Sequence, residues 1–324
     1  MLFSDDIEWL RKVPGSEPGE LAALVGPSGA GKSTIGKLAV RLLGPSQGRL
    51  YFEGRDITHA DRRTSRRLKA KMQIIFQDPF SSLNPRKPVA SIVGEPLLIH
   101  GMKNRRERET RVMELLQVVG LSKEHMRRYP HMFSGGQRQR IGVARALALN
   151  PDLVVCDEAV SALDVSIQAQ VLNLLKDLQD EFSLTYLFIS HDLHVVEHIS
   201  DRVAVMYLGK IVEVADSKVI YKTPLHPYTQ ALLSASPMPD PEHKRKRILL
   251  KGDVPSPINP PPGCRFHTRC PTRHEMLPDG GHICEKETPP WRATDQGHRI
   301  LCHISLEELK KIDPVVHPFS SKAA

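Results

Sequence analysis

The chain is expected to fold as an α/β protein with a mainly parallel sheet covered on both faces, and three features carry that expectation. Short apolar strands alternate with helical patterns, as crossover units require. The strands read as near-continuous apolar runs, such as "LVVC" at 153–156, and not as half-buried alternating ones. The 324 residues are 40% hydrophobic, enough for one large core and a smaller piece.

The elements follow in order. "GELAALVGPSGAGKSTIGKLAVRLL" (19–43) reads as an apolar strand, a Gly-rich turn and a helix with Ile35, Leu38, Ala39 and Leu42 on one side. A second strand, "MQIIF" (72–76), is ended by the Pro-containing "QDPFSSLNPR". Residues 91–150 show helical spacing, for example at Val112, Leu115, Leu116 and Val119, and read as a helical insert. Strand character returns at "DLVVCDE" (152–158), followed by a helix from Asp164 to about Glu181 and the strand "LTYLFIS" (184–190). "RVAVMYLGK" and "IVEVA" are two further strands, separated at Gly209 and Lys210. After Ser236 a Pro-rich, charged stretch reads as a linker. The expected organisation is therefore a domain over 1–235 with its helical insert at about 78–150, a linker over 236–263, and a Cys-rich extension over 264–324.

Composition removes several classes. "LTYLFIS" is among the longest apolar runs, far short of the roughly 20 residues that cross a bilayer. The start, "MLFSDDIEWLRK", lacks the pattern of a secretory signal, so a cytosolic chain is expected. The net charge of +8 is concentrated in "DRRTSRRLKAK" (61–71), "KNRRERETR" (103–111) and "HKRKR" (243–247). Aromatics are 5% of residues and none interleave with these runs. The stacking platform for single-stranded nucleic acid is missing, no nucleic acid partner is expected, and the runs read as solvated faces and linkers.

The chemistry begins in the Gly-rich turn. Gly26, Gly29 and Gly31 let successive backbone N–H groups, including those around Ser28, point at phosphate oxygens. Lys32 reaches the β and γ phosphates, and the Ser33 hydroxyl, beside Thr34, suits Mg²⁺. Hydrolysis also needs an acid on the metal and a group that handles water. Asp157, ending an apolar strand, fits the first role and Glu158 the second. His191 follows another strand, where open α/β sheets bind ligands, and is a donor to the γ phosphate. Gln77 ends a third strand, placed to sense metal or water. Cys156 reads as a small core residue.

A second Gly pair opens another helix in "FSGGQRQRIGVARA" (133–146). Together these pieces resemble one family, the ABC-type ATPases, whose core is a P-loop NTPase fold of RecA-like type. "GPSGAGKST" resembles the Walker A loop, "LVVCDE" the Walker B strand, Gln77 the Q-loop, "FSGGQ" the family signature, "SALD" (161–164) the D-loop and His191 the switch histidine. The resemblance covers roughly residues 20–235. It implies that ATP and Mg²⁺ are bound, with Ser33, Gln77 and Asp157 on the metal. It also implies that two such domains pair head to tail, so that Ser134, Gly135, Gly136 and Gln137, with Asp164 of the D-loop, serve ATP held by a partner's loop.

"FQDPFSSLNPR", "CDEAVSALDVSIQAQVLNLL", "PLHPYTQALLSASPMPDP" and "GDVPSPINPPPGCRFHTRCP" narrow the resemblance to dipeptide/oligopeptide permease ATPases, over nearly the whole chain. That branch implies uptake of peptides through two membrane-spanning permease subunits. A paralogous ATPase or second copy of this chain would be the partner, an extracytoplasmic peptide-binding protein would deliver cargo, and the chain would sit on the cytoplasmic face of the membrane. The alternatives are a soluble ABC ATPase acting on nucleic acid or ribosomes, and a subunit that binds ATP but hydrolyses it poorly. Two departures are visible. Only 25 residues precede Gly26, with Trp9 the nearest candidate to stack on adenine, and Ala159 stands where relatives carry Pro.

Four of the five cysteines lie in the extension: Cys264, Cys270, Cys284 and Cys302, at intervals of five, thirteen and seventeen residues. The segment looks too short for a core of its own, and a disulfide is not expected in the cytosol. Four thiolates suit a [4Fe–4S] cluster, and similar tails in the resembled branch look like cluster-binding ones. Zinc with help from His267, His298 or His303 is an alternative, although close Cys pairs are absent; no metal is the third.

Overall fold

The computed structural model describes residues 19–236 and 247–312. Trp9 and all but the last residue of the basic run at 243–247 lie outside the described residues. The chain divides into two compact units: one contains Ser33–Ile189 with the chain just before Ala22, the other Ala22–Lys32 and everything from Ser190 on.

In the first unit, strands β4 (Met72–Ile75), β5 (Leu153–Asp157) and β6 (Thr185–Ser190) run parallel, with Ile75 opposite Cys156 and Asp157 opposite Ile189. Val154, Val155, Cys156, Leu187, Phe188 and Ile189 are all buried, which is why these strands carry no polar alternation. The helix Val165–Phe182 puts Val171, Leu172, Leu175 and Leu178 on its buried side and stops at Ser183, whose φ of 51° is left-handed. The expected insert is helical: Val89–Ile99, Arg105–Val118 and Gly135–Leu147, with Val112, Leu115, Leu116 and Val119 all buried. A small hairpin pairs β2 (Tyr51–Phe52) with β3 (Arg55–Asp56). The first helix differs from expectation. It spans Lys32–Ala39 and buries Ile35, Leu38 and Ala39, but Arg41 turns left-handed and the amides of Leu42 and Leu43 both return to Lys37 O. Leu42 is therefore half exposed and not part of the apolar side.

In the second unit, β1 (Leu21–Val25) lies parallel to β7 (Arg202–Tyr207), and β7 returns antiparallel as β8 (Lys210–Asp216) through the two-residue turn Leu208–Gly209. Both turn residues have positive φ, 44° and 79°, the geometry that keeps a tight hairpin twisted correctly. Within its own unit, the strand before the expected phosphate loop and the strand ending in the acids each pair in parallel, whereas antiparallel pairing is found in the β2–β3 hairpin and in β7–β8.

The Cys-rich stretch contributes to this unit in a way its composition hides. Strand β10 (Arg299–Leu301) adds antiparallel to β8, and β9 (Trp291–Ala293) adds antiparallel to β10. Leu225, Ile300, Cys302, Ile304 and Leu309 form a buried cluster, so the segment shares a hydrophobic core and does not depend on its cysteines alone. Beside it sits the fully buried Glu213 of β8, opposite Ile300 in the sheet. Its carboxylate accepts the backbone N–H groups of Leu225 (2.7 Å) and His226 (3.1 Å) and bonds Nε2 of buried His298 (2.7 Å). A buried carboxylate is tolerable with this many donors and costly with fewer.

Candidate nucleotide site

The turn after β1 has the shape its glycines predict. A Cβ at Gly26 would stand 2.3 Å from Met206 O, so only glycine lets the chain leave the strand this close to β7. Lys32 is almost wholly buried and its ammonium donates to Gly26 O (2.9 Å) and Pro27 O (3.0 Å), lying over the loop it closes. Ser28 and Gly29 are exposed at the loop's tip. The loop is tied to the β7–β8 hairpin by Gly209 N–H donating to Ala30 O at 2.9 Å.

In the first unit, Ser33 Oγ donates to Asp157 Oδ1 at 2.8 Å, across 124 residues of sequence. The carboxylate is held at the buried end of β5 and the hydroxyl in the first turn of the helix. Two hard oxygen donors converging in this way suit Mg²⁺, which takes one or two protein ligands and fills the rest with phosphate and water. Thr34 is exposed beside them. The next residue, Glu158, has φ of 50°, which is left-handed for a side-chain-bearing residue. Its amide donates to Ile189 O (3.0 Å), and its carbonyl accepts the Ser161 hydroxyl (3.0 Å). The carboxylate accepts from Gln77 Nε2 at 2.8 Å. Two residues proposed from sequence to handle water and metal are thus in direct contact. Ala159 and Val160, immediately after, are buried.

The signature turn is a helix start of another kind. Ser134 Oγ accepts the Gln137 amide (3.3 Å), and Gln137 Oε1 accepts the Ser134 amide (3.1 Å), a reciprocal capping box. The box does not engage the amides of Gly135 and Gly136, which the helix leaves at its positive end. A Cβ on Gly136 would meet Ile167 Cγ2 at 2.4 Å, and one on Gly135 would meet Leu163 Cδ2 at 3.4 Å. The Gly pair therefore packs on the segment that flanks Asp164, itself exposed at the start of its helix. His191 is exposed just after β6, followed by Asp192, which caps the next helix by accepting from His194 N–H (2.9 Å).

Sequence reasoning missed Arg138. It is buried in the signature helix, donates to Pro130 O (2.7 Å), and lies 3.7 Å over the Phe80 ring. Arg145 of the same helix donates to Ser82 O (2.5 Å). These two arginines fasten the stretch after Gln77 to the signature helix. The basic "RQRIGVARA" pattern contained the signal, but Phe80 and Ser82 are more than 50 residues away.

The tail cysteines share a neighbourhood. Cys264 N–H donates to Cys284 O (2.8 Å). Burial pushes the Cys264 thiol up to about 11 and that of Cys284 to about 12, with neighbouring thiols acting in the same direction. Cys302 is likewise raised, by burial first and then by Cys264, Cys270 and Cys284. Among the described residues no group of three or more His, Cys, Asp or Glu side chains is set to hold a metal ion. The imidazoles considered for zinc are engaged elsewhere: His298 with Glu213, His267 with Cys264 O (2.8 Å) and His303 with Glu287 O (3.0 Å). Buried Cys156 is pushed up by desolvation and is inert core, as its place in the strand implied.

One unit carries the glycine loop with its lysine, and the other the Ser33–Asp157 and Gln77–Glu158 contacts, each a feature expected of an ATP-hydrolysing cassette. Comparison with known proteins gives the family. The ABC transporter family matches residues 15–161, and the oligopeptide/dipeptide transporter C-terminal region matches 212–276. The oligopeptide transport ATP-binding protein AppF of Bacillus subtilis is 53% identical over 88% of this chain and 86% of its own length. The dipeptide transport ATP-binding protein DppF of Escherichia coli is 54% identical over 79% of this chain and 77% of its own. The chain belongs to this family of ABC transporter ATPases. Among solved structures, cbiO1 of Clostridium perfringens, part of an ABC transporter complex, is 29% identical with a TM-score of 0.57, covering 63% of this chain and 80% of its own. The dimeric ATP-binding cassette MJ0796, in a post-hydrolysis state with ADP and Pi, is also 29% identical, with a TM-score of 0.56 over 62% of this chain and 87% of its own.

Proposed function

We propose that this chain is the ATP-hydrolysing subunit of a peptide importer. The chemistry rests on one observation, the contact of Ser33 Oγ with Asp157 Oδ1 at 2.8 Å. In this reading the loop amides from Gly26 to Gly31 and the Lys32 ammonium hold the phosphates of ATP, while Ser33, Asp157 and Gln77 hold Mg²⁺. The ion, when bound, neutralises phosphate charge and orients the β and γ oxygens. Glu158 accepts a proton from the attacking water, Gln77 positions that carboxylate, and His191 donates to the γ phosphate. Ser134, Gly135, Gly136, Gln137 and Asp164 complete the site of a second cassette, a paralogue or another copy of this chain. Such a site closes only when nucleotide bridges both chains, which turns binding energy into a change of shape.

The cargo follows from the relatives, whose names specify oligopeptide and dipeptide transport. Two permease subunits would receive the motion and an extracytoplasmic binding protein would deliver peptide. Among the described residues no helix is long and apolar enough to cross a membrane, so attachment to the cytoplasmic face would run through those subunits. Purification of the tagged chain from detergent-solubilised membranes tests this. Two permease subunits and an ATPase stimulated by peptide-loaded binding protein are expected; nucleic acid or ribosomal proteins in their place would favour the soluble alternative.

The four tail cysteines are proposed to hold a [4Fe–4S] cluster of structural role. What supports it is four cysteines in one segment, two of them joined through the Cys264 amide and Cys284 O; the described side chains are not gathered to hold an ion, so loading would have to draw them together. An anaerobic preparation should contain iron and sulfide and be brown, and Cys284→Ser should bleach it. A colourless, iron-free wild-type protein overturns the cluster.

A further inference from the structure

We propose that Arg265, in the Cys-rich segment, is a positioning residue for the phosphate loop, acting through the β7–β8 turn. The inference rests on the reading that Gly26–Lys32 holds the phosphates of ATP.

The path consists of three contacts in one compact unit. The Arg265 guanidinium donates to the carbonyl of Leu208. The amide of the next residue, Gly209, donates to Ala30 O at 2.9 Å. Ala30 is followed by Gly31 and Lys32, and its own amide closes the loop onto Pro27 O (3.2 Å). The turn therefore holds the loop on one side and is held by Arg265 on the other. Leu208 has φ of 44°, a left-handed conformation that a leucine adopts only when its surroundings enforce it. Arg265 supplies one such restraint. Gly209 is needed for the same packing, because φ there is 79° and a Cβ would stand 2.9 Å from Arg265 Nη1.

Arg265 is itself well anchored. Cys264, one residue earlier, donates its amide to Cys284 O, and Phe266, one residue later, packs edge-on against Tyr207 with ring centroids 5.2 Å apart. Phe266 is fully buried, also against Tyr228. A residue pinned on both sides can fix the carbonyl it bonds, whereas a solvated arginine could not. The Cys-rich segment is in this way attached to the element that shapes the nucleotide loop, besides the hydrophobic contacts that dock it.

The test compares Arg265→Ala, Arg265→Lys and Gly209→Ala with wild type, measuring melting temperature, equilibrium affinity for Mg-ATP, and KM and kcat of the assembled ATPase. Arg265→Ala should raise KM and the dissociation constant roughly threefold to tenfold, the effect of about one hydrogen bond, with kcat at saturating ATP little changed. Arg265→Lys should recover part of that loss. Gly209→Ala, which keeps the guanidinium but displaces it, should give a similar shift, and the double variant Gly209→Ala/Arg265→Ala should be less than additive. Arg273→Ala, which breaks a different contact of the tail, its ion pair with Glu285 (2.9 Å), serves as a control and should leave KM alone. A lowered melting temperature with unchanged ATP affinity in Arg265→Ala would reduce Arg265 to a packing residue and overturn the proposal. Lys32→Ala measured alongside separates the two readings: if it binds Mg-ATP normally, the phosphate-loop assignment fails; if it loses binding while Arg265→Ala does not, only this inference fails.

Discussion

The phosphate loop and the signature turn are both Gly-rich helix starts, yet they are built differently. At the loop, Lys32 lies over the carbonyls of Gly26 and Pro27, and the backbone is squeezed against Met206 so that no side chain fits at Gly26. At the signature, Ser134 and Gln137 cap each other, and the Gly pair is pressed on Leu163 and Ile167. In the proposed reading the first would supply the Lys32 cation and a tight cradle for a polyphosphate, and the second amides and a helix dipole. The difference suits a whole phosphate chain at one and a terminal phosphate at the other, which is the division of labour that head-to-tail pairing requires.

The largest expected effect comes from removing catalysis while keeping both starts. Glu158→Gln should lower ATP turnover on the order of 100-fold to 10,000-fold, the usual worth of a general base, while Mg-ATP still binds. Next, Lys32→Ala should weaken Mg-ATP affinity roughly 10-fold to 100-fold in equilibrium binding, as expected for loss of charge-assisted bonds. Gly136→Ala should sharpen the comparison from the other side. Its Cβ cannot coexist with Ile167 in place, a strain of about 1–3 kcal/mol. ATP binding by the isolated chain should survive, while ATP-dependent pairing, read by light scattering, and hydrolysis should fall. Loss of ATP binding by Gly136→Ala, with the fold intact, would mean that the two starts serve one nucleotide.

Smaller effects belong to the tail. Glu213→Ala leaves two amides and His298 without their acceptor and should destabilise the unit by about 1–3 kcal/mol, visible in thermal melting. Burial holds His226 down to about 4 against an ordinary 6.5. The unfolded chain therefore binds the extra proton first as pH falls. Stability contributed by neutral His226 is complete above about pH 6.5 and drains away between there and about pH 4. Melting temperature followed over that range should decline less steeply in His226→Asn than in the wild type.

Much of the first unit was legible because its signals are local. "LVVCDE" gave both a strand and the acids at its end, and the helical spacing of Val112, Leu115 and Leu116 matched their burial. Leu42 misled because spacing does not reveal where a helix stops; Arg41 turning left-handed ended it. The tail was illegible for a different reason. Glu213 and His298 are 85 positions apart, and nothing in "IVEVA" distinguishes a buried glutamate from a surface one. The three-residue strands β9 and β10 are also too short to show a period. Arg138 over Phe80 and Arg265 on the β7–β8 turn are likewise products of long-range packing.

The most direct test of the account is Mg-ATP binding and hydrolysis measured side by side on Glu158→Gln in the assembled transporter. Binding within about twofold of wild type, with turnover reduced at least 100-fold, is the predicted result. Near-normal hydrolysis would contradict the assignment of Glu158, and with it the chemistry proposed for the end of β5.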